Sequence, residues 1–139
     1  MKKYLLLVLA VFILGCTHNQ SIGGGNIDWY SDLEQAKIDA QDQEMLLLID
    51  FYTDWCGWCK RLDKDTYANK EVAELAKNFV CVKINADKFP QLTKEYNVQG
   101  FPSTVYLRPD GTRIEVIPGY MPPAKFMQVM NKMLADYSE

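Results

Sequence analysis

Residues 45–52 read Met-Leu-Leu-Leu-Ile-Asp-Phe-Tyr, a run whose apolar character is interrupted only by Asp50. A strand with one wet face alternates polar and apolar residues, so a run without alternation is covered on both faces. Residues 80–84 repeat the pattern, and segments of helical length stand between such runs. The order helix, strand, helix, strand, helix, hairpin, helix predicts an α/β fold. Its central mixed sheet is flanked by helices on both faces.

The individual elements carry local signals. Ser31-Asp32-Leu33-Glu34 reads as a capping box opening a helix over 32–43, with Leu33, Ala36, Ile38 and Ala40 in partial helical register. A second helix is expected over 56–68, and Asn69 can cap a further stretch through Val72, Leu75, Ala76 and Phe79. A short helix over 89–96 leads to Gly100-Phe101-Pro102. Strands at 103–107 and 113–117 then flank the turn Pro109-Asp110-Gly111-Thr112, a hairpin signature. Pro122 and Pro123 open a last helix to about Tyr137, with Phe126, Val129, Met130, Met133 and Leu134 on one stripe. Its methionines read as core filling. There is no internal repeat, and residues 27–139 are expected to form one domain.

The amino-terminal end reads as an address. Lys2 and Lys3 precede the apolar run 4–14, which is too short for the roughly 20 residues of a bilayer-spanning helix and has the shape of a signal peptide over 1–15. Ile13-Leu14-Gly15-Cys16 resembles the lipobox of bacterial lipoproteins. The resemblance implies cleavage before Cys16 and lipid attachment to its thiol and new amino group; the alternative is an ordinary signal peptide cut nearby. Residues 16–26, with Cys16 at their head and His18 among them, are polar and Gly-rich and read as a flexible tether. More than one acyl chain would hold the domain stably at a membrane. In a diderm bacterium, Thr17 would stand where a lipoprotein retained at the inner membrane often carries Asp, which favours the outer membrane, facing the periplasm.

Charge and histidine content exclude several functions. The 139 residues hold 15 Lys and Arg against 18 Asp and Glu, and two of the lysines lie in the leader, so the body is acidic and ill suited to nucleic acid. The single His, at 18, cannot build a multi-histidine metal site or a Cys/His or Ser/His catalytic pair. Neither a metal nor another cofactor is expected.

Trp55-Cys56-Gly57-Trp58-Cys59-Lys60 is the sharpest chemical signal. Where a buried strand gives way to a helix, Cys56 falls at the helix amino end, and unpaired NH groups together with the macrodipole favour its thiolate. Cys59, one turn on, faces the same side and lies deeper, near enough for a disulfide. Cys56 is thus the expected attacking sulfur and Cys59 the resolving one. A purely structural bridge over two intervening residues would stabilise little by chain entropy. Cys81, inside the apolar run 79–84, reads as a buried small hydrophobe.

Taken with the strand 46–52 entering this motif, Lys83 in the next strand, Phe101-Pro102-Ser103-Thr104 and the Pro109-Asp110-Gly111 hairpin, the chain resembles thioredoxin over about 30–137. It is most similar to the extracytoplasmic thioredoxin-like proteins with a Trp-Cys-x-x-Cys-Lys motif. The resemblance implies the thioredoxin fold and a thiol-disulfide oxidoreductase. Asp50 matches the family's buried acid beneath the Cys pair, able to take the resolving thiol's proton through water, and Lys83 matches its nearby lysine. The competing reading has Asp50 capping the strand end and Lys83 reaching to the surface. Pro102 matches the family's cis-proline, and Trp55, Gly57, Trp58, Phe101 and Pro102 are the implied substrate contacts. Two departures stand out. Trp58 replaces the proline that the cytosolic members carry between the cysteines, and this pair tunes a potential in which about 30 mV is a tenfold change in equilibrium. Ser103 stands where Thr commonly follows the cis-proline, a change expected to bear on substrate contacts.

The function expected is a lipid-anchored, monomeric reductase of protein disulfides, supplied with electrons by a transmembrane or other thiol donor. The alternatives are a disulfide oxidase or isomerase, or a non-enzymatic module that carries Cu(I) on Cys56 and Cys59 or serves adhesion.

Overall fold

The computed structural model describes residues 27–138; the expected signal peptide over 1–15, the expected lipidation of Cys16 and the expected tether over 16–26 lie outside the described residues. Five strands, β1 (Trp29–Tyr30), β2 (Leu46–Tyr52), β3 (Phe79–Asn85), β4 (Ser103–Leu107) and β5 (Arg113–Pro118), lie side by side in the order β1-β3-β2-β4-β5. β1, β3 and β2 are parallel, while β4 runs antiparallel to both β2 and β5. The sheet is therefore mixed, and the uninterrupted apolar run occupies its centre.

Successive β2 side chains serve opposite faces. Leu46 and Leu48 pack with Trp29, Tyr67, Phe79, Cys81, Tyr106, Phe126, Met130 and Met133. Leu47, Ile49 and Phe51 pack with Leu33, Ala36, Ala40, Val82, Ile84, Tyr96 and Val105. The first core lies under α3 (Lys70–Ala76) and α5 (Pro123–Ser138); the second lies under α1 (Leu33–Gln43) and α4 (Pro90–Glu95). Two-sided burial is thus the physical reason for the missing alternation.

Local differences from expectation have identifiable causes. Asp32, rather than Ser31, caps α1, its carboxylate accepting the amides of Glu34 and Gln35 at 2.9 and 3.1 Å. Ile38 is 54% exposed, outside the buried stripe of Leu33, Ala36 and Ala40. The helix expected over 56–68 is α2 (Gly57–Leu62) followed without a break by a π-helical turn (Asp63–Tyr67). Asn69 caps α3 as expected, accepting the amides of Glu71 and Val72, but α3 stops at Ala76 and Phe79 already belongs to β3. β1 carried no sequence signal, being two residues long. No helix among the described residues is long and apolar enough to cross a membrane.

Candidate active site

β2 ends at Tyr52, and a tight turn delivers the chain to Cys56, whose amide donates to Thr53 O at 3.3 Å. Cys56 keeps an extended backbone and caps α2 with its sulfur, which accepts the Cys59 amide at 3.1 Å. The two cysteines are disulfide-bonded, with Cα atoms 5.3 Å apart. Continuity with the π-helical turn extends the helical run behind Cys56 to Tyr67, and the sulfur lies at the positive end of that run, on the Cys59 amide. Cys56 is 6% exposed and Cys59 3%. The contrast in depth is narrower than the motif implied. Gly57 is exposed, and a Cβ there would meet nothing, which leaves bare backbone beside Cys56.

Trp55 and Trp58 flank the pair at 70% and 55% exposure. They have different partners. The Trp55 indole NH donates to Asp87 at 3.0 Å and its ring meets Phe101 edge-on at 6.3 Å. Trp58 lies 5.6 Å from Tyr120, and the Arg61 guanidinium sits 5.4 Å from both of those rings. Arg61 in turn pairs with Asp65, which also accepts the Tyr120 hydroxyl at 3.3 Å. Nothing in the sequence singled out Tyr120; a lone aromatic in a loop carries no pattern.

The Phe101–Pro102 peptide is cis. Pro102 O accepts the amide of Gly119 at 2.8 Å, and Gly119, at φ 94°, takes a conformation that favours glycine. Ser103 is fully buried and donates to Gly100 O at 2.7 Å. Its hydroxyl therefore shapes the loop from within.

Behind the cysteines, Asp50 and Lys83 are paired across neighbouring strands, and Lys83 Nζ lies 3.0 Å from Asp50 Oδ2 and 2.6 Å from Asp63 Oδ1. Asp50 therefore does not cap a strand end, and Lys83, 8% exposed, does not reach to solvent. Three rings surround the ammonium, those of Tyr52 at 4.8 Å and of Trp29 and Tyr67 at 5.3 Å each. Burial pushes the Asp50 carboxyl above its ordinary value, and the Lys83 charge opposes that rise without cancelling it. Burial alone would lower Lys83, but the charges of Asp50 and Asp63 and their hydrogen bonds leave it raised and protonated. Asp63, at the carboxyl end of α2, has its amide on Cys59 O, so backbone links this ionic cluster to Cys59. The sequence showed Asp50 as an oddity in an apolar run; Asp63 had no such contrast with its polar neighbours.

Cys81 is buried, its thiol directed at Ala76 O, and burial drives its ionisation far upward. Such a thiol is inert.

Residues 33–134 match the family described as thioredoxin-like domain. Thioredoxin-T of Drosophila melanogaster is 34% identical over 112 residues, spanning 78% of this chain and 65% of that protein. The thiol:disulfide interchange protein DsbD of Tatumella citrea is 27% identical over 126 residues, spanning 86% of this chain and 22% of that protein. The solved structure of the reduced Neisseria meningitidis DsbD C-terminal domain superposes with a TM-score of 0.64 at 27% identity, covering 72% of this chain and 92% of that one. The chain spans less than two thirds of the length of the curated relatives it matches.

Proposed function

The chain belongs to the thioredoxin-like domain family, and on that premise we propose that it is an extracytoplasmic thiol-disulfide oxidoreductase that reduces protein disulfides through Cys56 and Cys59. One observation carries the reading: a helical amide rests on Cys56 Sγ at 3.1 Å while Cys59 Sγ stands within bonding reach of the same atom.

In the reduced chain, Cys56 Sγ carries the negative charge that the helix end favours. It attacks one sulfur of a substrate disulfide, forming a mixed disulfide and releasing the other substrate sulfur as a thiolate. Cys59 gives up its proton and attacks Cys56 Sγ. The Cys56–substrate bond breaks, the second substrate thiolate leaves and takes a proton, and two electrons have passed from the Cys pair to the substrate. Asp50, whose carboxyl is raised by burial, is the group fitted to accept the Cys59 proton through water. Trp55, Phe101 and the cis Pro102 on one hand, and Gly57 and Trp58 on the other, form the surface a peptide meets. The electron supply is a second thiol couple, transmembrane or otherwise.

Lipid on Cys16 would hold the domain at a membrane, and the DsbD relatives support an envelope location. Reduction of a protein disulfide by the full chain tests the chemistry. A Cys56→Ser variant is expected to lose turnover, and a Cys59→Ala variant is expected to stall as a trapped mixed disulfide. A Cys56→Ser variant as active as the parent would sink the assigned nucleophile, and a potential near DsbA, about −120 mV, would reverse the direction to oxidation.

A further inference from the structure

Lys83, Asp50 and Thr104 lie opposite one another on three adjacent strands, in the register Lys83↔Asp50 and Asp50↔Thr104, so all three side chains rise on one face of the sheet. The π-helical turn passes over that face and carries Tyr67, which is fully buried and packs its ring against Trp29 at 4.9 Å and Phe126 at 5.4 Å. Lys83 satisfies Asp50 Oδ2 only. Asp50 Oδ1, Tyr67 OH and Thr104 Oγ1 are each buried without a hydrogen-bond partner. Tyr67 nonetheless lies close enough to Asp50 for its hydroxyl to favour the ionised carboxylate, and Thr104 lies close enough to Tyr67 for its hydroxyl to act on the phenol. Three orphaned oxygens converging on one spot are costly unless they satisfy one another directly or across a shared water.

We propose that Tyr67 and Thr104 are positioning residues for Asp50, their hydroxyls binding Oδ1 while Lys83 binds Oδ2, so that the two hydroxyls set the pH range over which this carboxylate can take up a proton. The proposal rests on the oxidoreductase reading above, in which Asp50 receives the proton of Cys59. The geometry divides the labour. Lys83, held by three rings and by Asp63, is a fixed cation on one oxygen. The opposite oxygen answers to neutral donors, which stabilise the ionised carboxylate without adding a charge. The titratable and charged groups facing Asp50 are Lys83 from β3 and Asp63 and Tyr67 from the helical run after the Cys pair. Tyr106, one row along β4, lies against Tyr67 and is held protonated by burial.

Two measurements on the full chain test this, a carboxyl NMR titration of Asp50 and the pH profile of kcat/KM for reduction of a protein disulfide. Removing a hydroxyl from the ionised form's shell is expected to raise the Asp50 midpoint. Tyr67→Phe, which keeps the ring, and Thr104→Val, which keeps the shape, should each raise it by about 0.5–1 pH unit, roughly a three- to tenfold change in proton affinity. The limb of the rate profile governed by Asp50 should move by the same amount. Thr104→Ser, which restores a hydroxyl, should return both to parent values, and it keeps the test alive if Tyr67→Phe does not fold. An Asp50 midpoint unmoved by both hydroxyl deletions overturns the proposal. A moved midpoint with an unmoved rate profile overturns the catalytic part of it. If the parent itself exchanges no disulfides, the functional reading fails, while the titration still decides whether the hydroxyls hold Asp50.

Discussion

Asp50 is a buried carboxylate that shares its lysine with a second carboxylate, and the consequences for stability follow from that sharing. Its carboxyl is raised, chiefly by burial, so the native state holds that proton more tightly than the unfolded chain does. Its contribution is therefore present at pH below the ordinary carboxylate range and is lost as pH rises through the raised native value. Asp50→Asn leaves Lys83 paired with Asp63 at 2.6 Å. This variant is expected to be more stable than the parent above the raised value and to lose that advantage in acid, read as midpoints of urea unfolding across a pH series. Lys83→Met does the opposite, leaving Asp50 buried without its cation. It should cost about 3–5 kcal/mol at neutral pH, shrinking as Asp50 is protonated. At this scale the sequence was legible where a residue contradicted its surroundings. Asp50 and Lys83 stood out in apolar runs, and the cysteines in their spacing. Asp63, Tyr67, Thr104 and Tyr120 did not, because each is ordinary in its own segment and acquires its role only when the sheet and the π-helical turn bring it to Asp50 or Trp58.

The elements were legible to the extent that local chemistry determines them. Asn69 caps α3 because its side chain meets two otherwise unpaired amides, and this needs no tertiary information. Asn69→Ala is accordingly expected to cost about 1 kcal/mol in denaturant unfolding without altering disulfide reduction. A cost near zero would mean that packing of Val72 and Ala73 alone sets where α3 begins. The run after Cys59 was less readable. A π-helical turn admits one extra residue per turn and leaves the sequence looking helical throughout. Here the turn is held by tertiary contacts, since Thr66 Oγ1 donates to Met121 O at 2.6 Å and Tyr67 inserts between Trp29 and Phe126. β1 escaped notice for a related reason. Its two residues pair with Cys81 and Val82 of β3, and only that neighbour makes them a strand.

At the scale of the whole molecule, the sheet brings together segments as far apart as Asp50 and Thr104, and the Cys pair sits where β2 hands over to the helical run. The α/β architecture was readable because two-sided burial leaves an unmistakable mark on β2 and β3. The position of the Cys pair followed, but the ionic cluster behind it needed the strand register. The lipid reading concerns residues outside the described structure and is tested separately. Cells fed a labelled fatty acid should yield a labelled, membrane-bound parent chain, whereas Cys16→Ser should be unlabelled and released on lysis; a labelled Cys16→Ser chain would refute the anchor. The central claim, that the helix end holds Cys56 ionised, meets its most direct test in the alkylation rate of the reduced full chain against pH, with Cys56→Ser defining the background. The account predicts a Cys56-dependent midpoint below the value of free cysteine, about 8.5. A midpoint at or above that value would contradict it.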